Sequence, residues 1–148
     1  MIALASDHGG FQLKESIKKK LDEMGQEYKD FGTYSSESAD YALYAVKAAG
    51  AVAKGEADKG ILICSTGLGI CMAANKVKGI RAAACTDVFS AEMTRRHNNA
   101  NVLCMGAMLV DEEKAFQITE KFLTTDFEGG RHQRRIDQIA QIEDGSLN

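Results

Sequence analysis

The chain has 148 residues, enough for one ordinary domain able to bury about 70% of its unfolded surface. Apolar residues make up 45% and charged residues 26%, the balance of a globular protein, which excludes disorder, collagen and a disulfide mini-scaffold. The formal net charge of -3 argues against binding nucleic acid through its phosphates.

In chain order the segments alternate between strand and helix patterns. Ile2 to Ser6 is a short apolar strand ending at Asp7-His8-Gly9-Gly10. It has no basic flank and acid follows it, so it does not read as a secretory signal, and a cytoplasmic setting is the expectation. Leu13, Ile17, Leu21 and Met24 recur at helical spacing, with Lys14, Lys18, Lys19 and Asp22 expected on the solvent side and Gly25 as the stop. Glu27 to Phe31 reads as a more polar strand near an edge, and Ser35 to Ser38 as a loop. Asp40 to Lys54 is rich in Ala, Tyr and Val and predicts a helix. Lys59 to Cys64 predicts a buried strand, and Gly67 to Lys76 a short helix. Ile80 to Cys85 is the next strand, followed by Asp87 as the N-cap of a helix reaching about His97. Asn101 to Met105 is the fifth strand, and Asp111 opens a helix through Leu123. Gly129-Gly130 is a hinge before a last amphipathic helix over about 131–143, marked by Ile136, Ile139 and Ile142.

This alternation suits right-handed crossover units. It predicts an α/β fold: one doubly wound, five-stranded parallel sheet covered on both faces, in three layers, as a single domain over 1–148. In such sheets ligands bind beyond the carboxyl ends of the strands. That rule marks the loops at Ser6–Gly10, Cys64–Gly69 and Thr86-Asp87.

The glycines of Cys64-Ser65-Thr66-Gly67-Leu68-Gly69 fall between a strand and a helix, where backbone N–H groups can face an anion. The third glycine of a dinucleotide fingerprint and the Gly-Lys-Ser/Thr of a P-loop are missing. Cys64 ends its strand, so its thiol is the candidate base or nucleophile; the alternative is a packing residue, the reading kept for Cys71, Cys85 and Cys104. No C-x-x-C pair suggests zinc. Thr66 is either a proton relay or a helix cap, and Asp7-His8 either holds sugar hydroxyls or forms an Asx-turn. His97 is either a general acid or a histidine at a helix C-terminus. Arg131 and Arg135, four apart, share a helix face and could grip a phosphate; the alternative is a basic turn balanced by Asp137 and Glu143.

Taken together, the ordered segments resemble one family. They are Ser-Asp-His-Gly-Gly at 6–10, Asp30-Phe31-Gly32-Thr33, Asp40-Tyr41, Cys64 to Gly69, Ala73 to Lys76, Gly79 to Ala83, His97 to Leu103 and Gly129 to His132. The set is similar to the type B ribose-5-phosphate isomerases and their allose-6-phosphate and galactose-6-phosphate relatives. The resemblance implies a Rossmann-like fold and an aldose–ketose isomerase that needs no metal and no cofactor. It implies a homodimer or tetramer with active sites shared between subunits, and a small sugar phosphate as substrate. By likeness Cys64 is the base, and Ile70, where one branch carries a glutamate, places the chain in the cysteine branch. Thr66 would assist, the amides from Ser65 through Gly67 to Gly69 would form the anion hole, and Asp7 and His97 would handle the ring oxygen and anomeric hydroxyl. His8, Arg131 and Arg135 would hold the phosphate, and Tyr41 and Asn98 would line the sugar site. The chain departs from the family in Met108, where an arginine is common, in Ala42 for a proline, and in Ser65 for a glycine. The rival readings are a hexose-6-phosphate isomerase, a non-catalytic sugar-phosphate-binding partner subunit, and a redox-sensing thiol protein.

Overall fold

The computed structural model describes residues 1–148. Strands and helices follow in the order β1 (Ile2–Ser6), α1 (Phe11–Glu23), β2 (Tyr28–Asp30), α2 (Tyr41–Ala53), β3 (Lys59–Cys64), α3 (Leu68–Ala74), β4 (Ala82–Ala84), α4 (Val88–Asn98), β5 (Val102–Gly106), α5 (Glu112–Thr124) and α6 (Arg131–Asp144). All strands pair in parallel, in the order β2-β1-β3-β5-β4. Register runs from Ile2 opposite Lys59 to Ser6 opposite Ile63, and from Gly60 opposite Val102 to Cys64 opposite Gly106.

Successive side chains of a strand point to opposite faces, and here the faces differ in size. Ile2, Leu4, Ile61, Ile63, Leu103 and Met105 pack with Leu13, Ile17 and Leu21 of α1 and Ile118 and Phe122 of α5. The other face carries Ala3, Ala5, Leu62, Cys64, Val102 and Cys104 against the alanines of α2 and Ile70 and Ala74 of α3. Small residues on both sides let α2 approach the sheet closely, and that face ends at Cys64. α6 lies outside the three layers and rests on α4.

The doubly wound, five-stranded sheet is as expected, with β2 at an edge. Asp87 caps α4 by accepting the Ser90 N–H, and Asp111 caps α5 by accepting the Lys114 N–H. β4 is shorter than Ile80 to Cys85. The Arg81 N–H donates to Asn101 Oδ1 and the Ala82 N–H to Asn75 Oδ1, so side-chain amides replace strand pairing at its start. α3 stops at Ala74, two residues before Lys76.

Lys14 departs most from expectation. It is fully buried rather than on the solvent side of α1. Its ammonium donates to both oxygens of Asp30 and, at 2.7 Å, to the Thr33 carbonyl. Burial lowers the Lys14 pKa. Burial alone would raise the Asp30 carboxyl, but hydrogen bonds from Lys14, Lys18 and the Gly32 N–H hold it below the usual range. This ion pair fixes the segment after β2. The Ser6 N–H donates to the Gly32 carbonyl at 2.7 Å, and the Thr33 N–H to the Ser6 carbonyl at 2.8 Å, directly beneath Asp7.

Candidate active site

β1 lies between β2 and β3, so the chain leaves its carboxyl end toward one side and that of β3 toward the other, opening a crevice. The loop after β1 contributes Asp7, buried, whose Oδ1 accepts the Gly10 N–H at 3.1 Å. The two glycines that follow let this loop touch the loop after β3. A Cβ on Gly9 would lie 2.2 Å from Ser65 Oγ, and one on Gly10 would lie 2.2 Å from the Ile63 carbonyl oxygen. His8 Nδ1 sits 3.1 Å from the Ala39 amide nitrogen, which ties the loop to the approach to α2. Tyr41, the first residue of α2, lies over Gly69: a Cβ there would be 2.7 Å from Tyr41 Cζ.

Cys64 ends β3 with its side chain buried, and the Gly67 N–H donates to its Sγ at 3.1 Å. Gly67 has φ +77, in the left-handed region that favours glycine, and a Cβ there would lie 2.7 Å from the Met105 carbonyl carbon. A Cβ on Gly106 would lie 2.4 Å from the Thr66 carbonyl carbon. The Ala107 and Met108 N–H groups donate to the Cys64 and Ser65 carbonyls, each at 2.9 Å. The reactive loop is thus clamped by the end of β5. Thr66 is exposed, and its Oγ1 accepts the Leu68 N–H at 3.4 Å, a weak cap. Thr86-Asp87, the third loop expected at the ligand edge, does not join this cluster; it opens α4, because β5 and not β4 is the neighbour of β3.

The remaining candidates lie elsewhere. α4 runs back against the strands, so His97 and Asn98 end near the start of β5, while Cys64 pairs with its end. About 13 Å of strand separates the two edges. Arg131 and Arg135 of α6 belong to this second group, because the neighbouring His132 stacks on His97 with ring centroids 4.3 Å apart and planes 14° from parallel. Both arginines are exposed and unpaired. The acids expected to balance them are engaged elsewhere: Asp137 accepts from Gln133 and Glu143 from the Gly79 N–H. The structure therefore gathers Asp7, His8, Tyr41, Cys64, Ser65, Thr66, Gly67 and Gly69 at one edge, and His97, Asn98, Arg131 and Arg135 at the other.

Side chains that sequence reasoning left without a role hold the second group. Arg95 is buried; its guanidinium donates to Asn99 Oδ1 at 2.9 Å and to the Ala100 and Thr125 carbonyls at 2.6 and 3.1 Å. Arg81 donates to the Asn98 and Asn99 carbonyls at 2.9 and 3.0 Å. Asn99 takes φ 44, the left-handed conformation in which asparagine commonly ends a helix. His132 is buried four residues from buried Ile136, a helical spacing visible in the sequence.

The largest cavity, about 780 Å³, lies between the segment that follows α3, β4, α4 and α6 and includes Asn98 but not Cys64. His97, Glu128 and His132 bring three donor atoms within 4.8 Å of one another. A metal ion lies near the plane of each imidazole that binds it, and two nearly parallel stacked rings offer no shared point. All four cysteines are unpaired. Burial pushes the Cys104 thiol well above its ordinary value and raises that of Cys85, which suits packing rather than redox chemistry.

Residues 2–139 match the family model described as Ribose/Galactose Isomerase. The chain is 51% identical over 142 residues to ribose-5-phosphate isomerase B of Escherichia coli strain K12, covering 96% of this chain and 95% of that protein. Its fold is similar to that of Clostridium thermocellum ribose-5-phosphate isomerase B, with a TM-score of 0.96, 49% identity and 97% of each chain covered. The Mycoplasma genitalium ribose-5-phosphate isomerase B, solved with bound ribulose-5-phosphate, gives a TM-score of 0.92 at 45% identity, covering 97% of this chain and 95% of that one.

Proposed function

Because the chain belongs to the ribose/galactose isomerase family, we propose that it is an aldose–ketose isomerase interconverting ribose 5-phosphate and ribulose 5-phosphate. The observation that carries the reading is Cys64 at the end of β3, its sulfur held by the Gly67 amide in the crevice between β1 and β3. In the forward direction the Cys64 thiolate takes the C2 proton of the open-chain aldose. The C2–H electrons form the C1–C2 double bond, and the carbonyl electrons move onto O1, which gives a cis-enediolate. The proton returns to C1 while the C2 hydroxyl proton passes to O1, so the C2 oxygen becomes the carbonyl, O1 becomes a hydroxyl, and the ketose results. Amides of the Ser65–Gly69 loop stabilise the charge on the oxygens, and each such donor is worth about 3 kcal/mol in the transition state. Asp7 and Thr66 border this step, with Tyr41 over the sugar.

The phosphate grip and His97 stand at the opposite edge of the same chain. The reading therefore includes a homodimer in which His97, Asn98, Arg131 and Arg135 of one subunit complete the crevice of the other. Exposed Leu43 and Val46 on α2, and Leu68 and Met72 on α3, supply an apolar surface beside the crevice for that contact. Arg131 and Arg135 hold the phosphate, as their free guanidiniums on one helix face allow, and His8 lies on the crevice side. Phosphate binding remote from the reacting carbons supplies energy to orient them. His97 moves the proton between anomeric hydroxyl and ring oxygen as the furanose opens. The four unpaired cysteines suit a reducing compartment, in keeping with a cytoplasmic enzyme, and no helix is long and apolar enough to cross a membrane.

One observation favours a second substrate class. Met108 is 79% exposed and its backbone is anchored on the Ser65 carbonyl, so an apolar side chain stands beside the reactive loop. The test is steady-state isomerisation of ribose 5-phosphate, allose 6-phosphate and galactose 6-phosphate by the purified chain in EDTA. Preference for ribose 5-phosphate with undiminished turnover in EDTA is expected. Preference for a hexose phosphate would transfer the reading to that class, and no turnover on any of them would overturn it.

A further inference from the structure

We infer that His132 is a positioning residue for His97, holding its imidazole by face-to-face stacking while Glu128 holds His132; this rests on the isomerase reading above. The His97 side chain has no hydrogen-bond partner of its own in the chain, so hydrogen bonding does not set the direction of its ring. His132 has what His97 lacks. It is buried, and its Nε2 lies 3.3 Å from Glu128 Oε2. Its backbone N–H donates to the Gly129 carbonyl at 3.1 Å, so the ring is also fixed from the main chain. Glu128 is held in turn: the Arg96 guanidinium donates to its Oε1, and the Glu128 N–H donates to the Arg96 carbonyl at 3.1 Å. A hydrogen bond from Arg96 keeps the Glu128 carboxyl below its usual range, so it stays an acceptor at neutral pH.

The stack does for His97 what a second hydrogen bond does in many catalytic histidines: it fixes the ring plane. It does so without occupying either ring nitrogen. Both stay available, one to take the anomeric hydroxyl proton and one to meet solvent. A flat contact also restrains the ring from tilting, which would turn its nitrogens from the sugar. Misplacement of such a group by about 1 Å costs up to a hundredfold in rate.

Ring opening and proton transfer between carbons can be read apart. Ribulose 5-phosphate carries its phosphate on the oxygen that would close a furanose, so it has no ring to open. Exchange of its C1 hydrogen with deuterium from D2O needs Cys64 and the enediolate only. The experiment compares wild type, His97→Ala, His132→Ala, His132→Phe and Glu128→Gln in two assays: turnover of ribose 5-phosphate and C1 exchange in ribulose 5-phosphate. With three histidines in the chain, NMR of the His97 ring protons reports the stack directly.

The expected result is a tenfold or greater loss of ribose 5-phosphate turnover in His132→Ala, with C1 exchange within twofold of wild type, the same split as in His97→Ala. His132→Phe, which keeps a flat ring, should recover most of the loss. Glu128→Gln, at an exposed position, should show a smaller loss with the same split. The His97 ring resonances should shift in His132→Ala and remain near their stacked positions in His132→Phe. Equal loss in both assays would show a merely structural role and overturn the proposal, as would no loss in either. Unmoved His97 resonances in a folded His132→Ala would overturn the stack itself. An inactive wild type whose His97 resonances still move in His132→Ala would support the stack and count against the isomerase reading instead.

Discussion

Cys64 is held by backbone and His97 by side chains. Around Cys64, the Gly67 amide reaches the sulfur, the Ala107 and Met108 amides clamp the loop carbonyls, and Gly9, Gly10, Gly67 and Gly106 leave no room for a Cβ. Around His97, a buried histidine, a glutamate and the guanidiniums of Arg81 and Arg95 shape the end of α4. Backbone donors are set by the fold and cannot be exchanged one at a time; side-chain supports can. The first edge should therefore be brittle and chemically invariant, and the second adjustable.

The largest effect expected is from Cys64→Ala, a loss of about 1,000-fold in turnover with an unchanged thermal midpoint. Full activity in that variant would remove the base assignment. Mixing Cys64→Ala with His97→Ala chains puts the division between the edges to the test. If each site draws on both subunits, random re-pairing leaves one intact site in half the dimers. Recovery to about one quarter of wild-type activity is then expected, and no recovery would place both groups within one subunit's site. Gly106→Ala forces a methyl against the Thr66 carbonyl and is expected to lower kcat by about 100-fold, where Arg95→Lys lowers it far less. Similar losses would erase the contrast between the edges.

Asp30→Asn leaves the Lys14 ammonium buried without its counter-charge, and about 3 kcal/mol of stability should go with it in urea denaturation. The sign with pH follows from the lowered Asp30 pKa. Folded Asp30 takes its proton at lower pH than the unfolded chain, so its contribution is present above about pH 4 and lost as pH falls through the folded value. The variant should therefore lose stability less steeply than wild type in that window. The smallest effect belongs to Arg135→Ala: KM for ribose 5-phosphate should rise about tenfold with kcat little changed. A fall in kcat with unchanged KM would take Arg135 out of the phosphate grip.

Much of the fold was legible because it depends on local patterns. Lys59 to Cys64 is a run that only a buried strand accommodates, and Asp87 and Asp111 announce their helices by capping chemistry. The crevice loops were legible for the same reason, since glycines between a strand and a helix mark close approach. What misled was context. Lys14 reads as a solvent residue until Asp30 and the Thr33 carbonyl are placed around it, and no helical period contains that information. Thr86-Asp87 reads as a ligand loop until strand order moves β5 next to β3.

By itself the sequence determined the elements, their alternation and the residue types available for chemistry, because propensity, period and capping act over a few neighbouring residues. It did not determine that the candidates split between two sheet edges, that two arginines stand without acids, or that His132 lies flat on His97. Those depend on strand order and on the direction in which α4 and α6 run. Both are settled by packing between residues far apart in the chain, where only the folded whole decides which surfaces meet.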